Sequence, residues 1–286
     1  MTDSSSVEGA WRRHRPYLVN LAYQMLGDVG EAEDVAQEAF LRLARTDIAD
    51  IDDIRGWLTV VAGRLCLDQL RSARARHERP DELESVDVVR SAEPDPADRV
   101  TLDDEVRAAM LEVLRRLSPG ERVAFVLHDV FQMPFEEIAE AVGRPVGTCR
   151  QLARRARGKF TGASPRLTDI ADAEHQLVTE RFITACANGD LEALTAVLDP
   201  AVWGIGTILG EGAPSPQVNH GPDEVGRNLL LYLGHGATLV SGPVGEPVLL
   251  AFNDRRLFAV IVLTMRDIVV LKIEATVDPS AAARPQ

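Results

Sequence analysis

The chain has 286 residues, 45% of them apolar and 26% charged. That composition excludes collagen, wholesale disorder and a small disulfide scaffold, and the length points to two or three domains. The net charge of −13, taken globally, speaks against a nucleic-acid binder.

The charge is segregated, however. Residues 144–159 hold six basic side chains and no acid, residues 64–79 hold five Arg against two acids, and residues 80–105 hold ten acids against two Arg. A partner feels the local field, which decays over about 8–10 Å at physiological salt. Two basic helices joined by an acidic tether are therefore the feature to explain. No apolar run is long enough to span a bilayer. Residues 1–9 are polar and acidic, so no secretory signal is expected. The scattered cysteines, Cys66, Cys149 and Cys186, read as reduced core thiols of a cytoplasmic protein.

In chain order, residues 7–77 read as helical. Ala32, Val35, Ala36, Ala39, Phe40 and Leu43 recur at helical spacing as a buried stripe, with Asp34, Gln37, Glu38 and Leu41 on the other side. A second helix covers 55–74, with Leu58, Val61, Ala62 and Leu65 inward and Arg64, Asp68 and Arg71 on another face. Residues 79–100 have three prolines, many acids and no period, which predicts a flexible linker. A third helical block spans 101–160. Its stripe begins with Leu102, Val106, Ala109, Met110, Val113 and Leu117. Ser118-Pro119-Gly120-Glu121 is a capping box with proline at the first helical position. Phe135, Ile138, Ala139 and Val142 make a short helix that Gly143 ends. Pro145 opens a basic helix with Cys149, Leu152, Ala153, Ala156 and Phe160 inward. Short helix, glycine turn and longer basic helix give the helix-turn-helix layout.

Residues 161–168 read as a second linker. Beyond it, Val178, Phe182 and Ala185 mark one helix. Asp190 caps a second that is expected to end at Pro200, and residues 222–233 form a third. Residues 238–240, 248–252, 257–264 and 268–277 read as antiparallel strands, with Asn253-Asp254 as a hairpin turn. In the last strand Leu271, Ile273, Ala275 and Val277 alternate with Lys272, Glu274 and Thr276. The fold class is thus multidomain: two all-α domains and then an α+β domain with helices on one side of a curved sheet.

On the basic helix, Gly147, Thr148, Arg150, Gln151 and Arg154 face away from the apolar stripe. Arg and Gln make bidentate hydrogen bonds to base edges in a major groove, and Arg155, Arg157 and Lys159 suit phosphates. The six histidines show no metal-ligand spacing, and no metal, cofactor or catalytic residue is expected. His220, Asp223, His235 and Glu274 are the candidates if the tail is an enzyme. Trp203, Phe252, Phe258 and Met265 are candidates to line a concave apolar site for a small ligand.

Three motifs carry a family resemblance. Ala32-Glu33-Asp34-Val35-Ala36-Gln37-Glu38-Ala39-Phe40-Leu41-Arg42-Leu43 resembles the core-binding helix in region 2 of bacterial extracytoplasmic-function sigma factors. Arg64-Leu65-Cys66-Leu67-Asp68-Gln69-Leu70-Arg71 resembles their region 2.3–2.4 helix. Leu117-Ser118-Pro119 through Gln151-Leu152-Ala153-Arg154-Arg155-Ala156-Arg157 resembles region 4. The match covers about the first 160 residues, and the tail resembles a SnoaL-like domain of the NTF2-like cone class. The resemblance implies region 2 at 7–78, an acidic linker at 79–100, region 4 at 101–160 and the cone at 169–279.

It also implies partners. Asp34, Gln37, Glu38 and Leu41 would dock on the β′ clamp helices of RNA polymerase core. Trp57, Arg64, Asp68, Arg71 and Arg74 would lie near the minus-ten element, whose unpaired bases stack on aromatic and Arg faces. Thr148, Arg150, Gln151 and Arg154 would read the minus-thirty-five element. Many relatives have Asn where Leu65 stands and Lys-Ser where Arg150-Gln151 stand, so promoter sequence does not transfer. The linker lacks the Trp-Leu-Pro motif of one tailed branch. A one-component, ligand-sensing helix-turn-helix regulator is the alternative; it has no need of a clamp-binding helix. The linker and tail are expected to hold the DNA-reading domains in a compact arrangement that covers their basic faces.

Overall fold

The computed structural model describes residues 4–48, 51–77, 116–160, 173–209, 215–234, 236–242 and 248–278. The linkers at 79–100 and 161–168, the stripe from Leu102 to Val113 and His235 lie outside the described residues. Three helices come first: α1 (Ser4–Leu26), α2 (Val29–Ala44) and α3 (Ile54–His77). Gly27 takes a positive φ of 78°, which turns the chain sharply between α1 and α2. Asp28 then caps α2 by accepting from the Glu31 N–H at 3.0 Å. The whole apolar stripe of α2 is buried, and Leu58, Val61 and Ala62 of α3 pack against it.

The second unit begins with α4 (Pro119–Phe125). Its capping box forms as read: the Glu121 N–H donates to Ser118 Oγ, and the Ser118 N–H donates to Glu121 Oε2 at 2.9 Å. The helix then widens into a π-helical turn, Val126–Val130, closed by Phe131 N–H to Val126 O at 3.0 Å. Next come α5 (Phe135–Val142), ended by Gly143 at φ 66°, and α6 (Val146–Phe160). Cys149, Leu152, Ala153 and Ala156 of α6 are buried.

The tail supplies α7 (Ala173–Asn188), α8 (Leu191–Thr195), β1 (Leu198–Ile208), β2 (Gln217–His220), α9 (Pro222–Leu233), β3 (Thr238–Ser241), β4 (Val248–Asn253), β5 (Arg256–Arg266) and β6 (Val269–Val277). The strands form one sheet in the order β2-β1-β6-β5-β4-β3. This is the expected α+β arrangement of helices on a sheet, called the cone below, with three corrections. β1 and β2 stand where no strand is expected; within β1, Pro200, Gly204 and Gly206 interrupt the β pattern. Pro200 is accommodated in a register shift between Leu198 and Trp203. The sheet is mixed rather than antiparallel, since β1 runs parallel to β6. In β6 the register shifts opposite Thr264 and Met265, so Val270 is fully buried in place of Leu271.

The sheet has two buried sides. Leu249, Ala251, Phe258 and Ile261 belong to the tail's own core. Val240, Leu250, Phe252 and Leu257 belong to the same apolar cluster as α1–α3. Alternation along β3, β4 and β5 therefore gives one face to the cone and the other to the N-terminal helices. β3 is an edge strand, and α1 covers its end: Ser241 N–H donates to Asn20 Oδ1 at 2.7 Å, and Gln24 Nε2 donates to the Gly242 carbonyl at 3.1 Å. Asn20 and Gln24 are buried, so these side chains satisfy backbone groups that an open edge would leave to water.

Candidate polymerase and nucleic-acid interfaces

The outer face of α2 carries Asp34, Gln37 and Leu41 exposed and Glu38 half-buried. Leu41 is one of few large apolar side chains in the open. Glu38 is bridged to Arg42 at 3.0 Å along the helix. Asp34 is engaged from the tail: Arg255 Nη2 donates to Asp34 Oδ1 at 2.9 Å, and Arg255 Nε lies 3.8 Å from Glu33 Oε2. Glu33 also accepts from Arg15 at 3.0 Å and from the Thr238 hydroxyl at 2.7 Å. Arg255 is aimed by the β4–β5 turn, whose Asp254 and Arg255 both have positive φ, 48° and 66°, the hairpin geometry whose twist matches its strands. A Cβ at Gly30 would stand 2.8 Å from Arg255 Nη1, so glycine there admits the guanidinium. Arg255, Glu33 and Gly30 are not among the expected site residues, and the turn lies one residue later than expected, at Asp254-Arg255 rather than Asn253-Asp254.

Arg64 of α3 is exposed but already bonded, donating from Nε to the Glu140 carbonyl at the end of α5, 3.0 Å away. A Cβ at Gly63 would lie 3.3 Å from Ala141 Cβ, so α5 sits directly on α3. Arg122 of α4 reaches the Met25 carbonyl of α1 at 3.1 Å, and burial brings its guanidinium down to about 10, still charged at neutral pH. Asp68 and Arg71 are exposed and 3.9 Å apart. Arg74 is exposed too, whereas Trp57 is half-buried against the helical core.

On α6 the basic residues divide into two groups. Arg150, Gln151 and Arg154 are exposed and Thr148 is half-buried. Arg150 lies over the Phe135 ring, 5.6 Å from its centroid, and 3.4 Å from Glu136. Arg157 instead bonds to buried Asp129 at 2.6 Å, and Lys159 to buried Glu121 at 2.7 Å, with Arg155 3.9 Å from Glu121. These three bind α6 back to α4 and the π-helical turn. Burial works to raise the Glu121 carboxyl, but the hydrogen bonds from Lys159 and Ser118 outweigh it and hold it below the ordinary carboxylate value.

The tail's candidate catalytic groups do not converge. Glu274 pairs with Lys272 at 2.9 Å, and Lys272 stacks on Trp203 on the side of β1 and β6 away from the cone. His220 and Asp223 are exposed. Phe252 meets Tyr23 of α1, ring centroids 5.7 Å apart, and Met265 packs beside the tail core, so of the apolar candidates Phe258 alone lines the cone's cavity. Among the described residues no His/Cys/Asp/Glu cluster could hold a metal. No described helix is long and apolar enough to cross a membrane. The tail docks on α1, on the acidic side of α2 through Arg255, and on the start of α3, where Arg55 donates to Glu180 of α7 at 2.7 Å.

Family models for Sigma-70 region 2 and Sigma-70 region 4 match residues 10–76 and 107–160. Probable ECF RNA polymerase sigma factor SigI of Mycobacterium tuberculosis is 48% identical, over 98% of this chain and 96% of that protein. The chain belongs to the ECF RNA polymerase sigma factors. ECF sigma factor SigJ of the same organism is 38% identical over 81% of this sigma factor and 77% of its own length. The crystal structure of SigJ covers 96% of this sigma factor at 32% identity, with a TM-score of 0.38.

Proposed function

We propose that this sigma factor docks on RNA polymerase core through the Asp34, Gln37, Glu38 and Leu41 face of α2 and directs promoter-specific initiation in the cytoplasm, with no catalysis of its own. Residues 7–78 hold the core and minus-ten functions, with Arg64, Asp68, Arg71 and Arg74 toward the opened strand. Residues 79–100 form the linker, 101–160 the minus-thirty-five reader and 169–279 the regulatory cone. Within the reader, Thr148, Arg150, Gln151 and Arg154 face bases. Arg155 and Arg157 reach phosphates only where their acidic partners release them. The observation that carries the reading is the exposed α2 face, in a chain matched by both regions in order. A one-component regulator leaves that face without a use.

In the free protein Arg255 occupies Asp34, and α5 covers part of α3. Core binding must therefore displace both contacts. Gln37→Arg with Leu41→Ala leaves the Arg255 contact intact and tests the α2 face alone. Loss of co-purification with core polymerase, at unchanged helical circular dichroism, is the expected result. Undiminished holoenzyme formation by this variant refutes the assignment of the face.

A further inference from the structure

Arg150 and Arg154 are the two arginines of α6 assigned to base edges, and the structure treats them differently. Arg154 is exposed and makes no ion pair among the described residues. Arg150, one turn earlier on the same face, is held twice. Its guanidinium lies over the Phe135 ring, 5.6 Å from the centroid, and its Nη2 donates to Glu136 Oε1 at 3.4 Å. Phe135 and Glu136 open α5, so the carboxylate comes from outside the helix that carries Arg150. The ring under Arg150 is itself fixed. His128 of the π-helical turn stacks on Phe135, with centroids 4.0 Å and planes 33° apart, and His128 Nδ1 lies 3.1 Å from the Met133 carbonyl.

An arginine beside DNA has two destinations. Phosphate oxygens are abundant and carry no sequence information, whereas the O6 and N7 edge of guanine takes two N–H groups at once. Where the guanidinium is held decides between them. Stacking on Phe135 fixes its plane and leaves its N–H edge free. Glu136 engages one N–H of the five and leaves enough for a guanine. The same carboxylate is a like charge to a phosphate, so it penalises the sequence-independent alternative. Both side chains are more than half exposed, 59% for Arg150 and 67% for Glu136, so the pair is open to an incoming duplex.

We infer that Glu136 is a specificity-determining residue of the minus-thirty-five reader: it acts through Arg150, holding that guanidinium for a guanine edge and away from phosphate. Glu136 is a positioning residue and touches no base itself; Phe135 is its partner in that role. The inference rests on the assignment of α6 as the reader. Exposed ion pairs are weak in water, so the effect is a redistribution of base preference and not a loss of binding.

The test uses holoenzyme assembled from core polymerase and the full chain, on templates randomised across the minus-thirty-five element, read by sequencing RNA 5′ ends. Arg150→Ala identifies the base position that Arg150 reads, and Arg154→Ala the position read by its neighbour. Glu136→Gln keeps the size of the side chain and removes its charge. It should lower the preference for guanine at the Arg150 position by about threefold and leave the Arg154 position unchanged. Added to Arg150→Ala, it should change nothing further at that position. A role for Glu136 in the fold of α5 alone would instead weaken every position together. An unchanged or stronger guanine preference in Glu136→Gln, an equal loss at all positions, or a further change in the Arg150→Ala background overturns the inference. If Arg150→Ala alters no base of the element, the reader assignment fails and takes the inference with it. If Arg150→Ala alters one and Glu136→Gln does not, the inference alone fails.

Discussion

Removing Phe252 should undock the tail, whereas removing Arg255 should barely loosen it. Phe252 is 5% exposed, stacked near Tyr23 and surrounded by Val240, Leu250 and Leu257 in the cluster shared with α1–α3. Truncating a buried Phe to Ala costs about 3–5 kcal/mol. Since the ring stands between tail and helices, most of that falls on docking, a factor of roughly a hundred to a few thousand. The Arg255–Asp34 pair is more than half exposed on both sides, 56% and 59%. Such pairs contribute about 0.2–1 kcal/mol and fade in salt. Hydrogen–deuterium exchange of the full chain reads both variants. Phe252→Ala should raise exchange across β3 and the second half of α1, where Asn20 and Gln24 hold the strand edge. Arg255→Ala should change it slightly, and not at all in molar salt. If Arg255→Ala loosens these segments as much as Phe252→Ala, apolar contact does not hold the tail.

Asn20→Leu should lower stability by about 1–3 kcal/mol, because the Ser241 N–H, at the half-buried end of β3 beneath α1, loses its acceptor; a denaturant melt measures it, and an unchanged midpoint contradicts the edge-cover argument. Arg150→Ala should cost about 1–3 kcal/mol at a single base position and relax specificity there. Lys159→Ala should instead destabilise the 116–160 unit and leave the salt slope of DNA binding nearly unchanged, because Lys159 is held by Glu121. The Glu121 carboxyl is depressed in the folded state, so its contribution is complete above the ordinary glutamate value of about 4.3 and is lost as pH falls below it. Near-ultraviolet circular dichroism should show that acid loosening, and Glu121→Gln should show less of it.

What was legible in the sequence was local. The capping box at Ser118 and the glycine stop at 143 depend on a few consecutive residues, and the α2 stripe on a regular period. β1 was hidden because Pro200 and two glycines break its alternation, and its parallel pairing to β6 depends on residues far along the chain. The ion pairs of the basic residues on α6 were not legible for a related reason. Residues 144–159 contain no acid, but Glu121 and Asp129, on the preceding helical turns, neutralise Arg155, Arg157 and Lys159. The Arg255–Asp34 contact joins residues 221 apart in sequence and follows only from how the sheet's outer face meets α1.

The most direct measurement is transcription by core polymerase on templates randomised across the promoter region, with and without this protein, read by sequencing RNA 5′ ends. The account predicts start sites that require the protein and lie downstream of a common two-part motif. Arg150→Ala should alter the distal part of that motif alone. Start sites indifferent to the protein, at concentrations where it binds duplex DNA by itself, would contradict the assignment as a sigma factor.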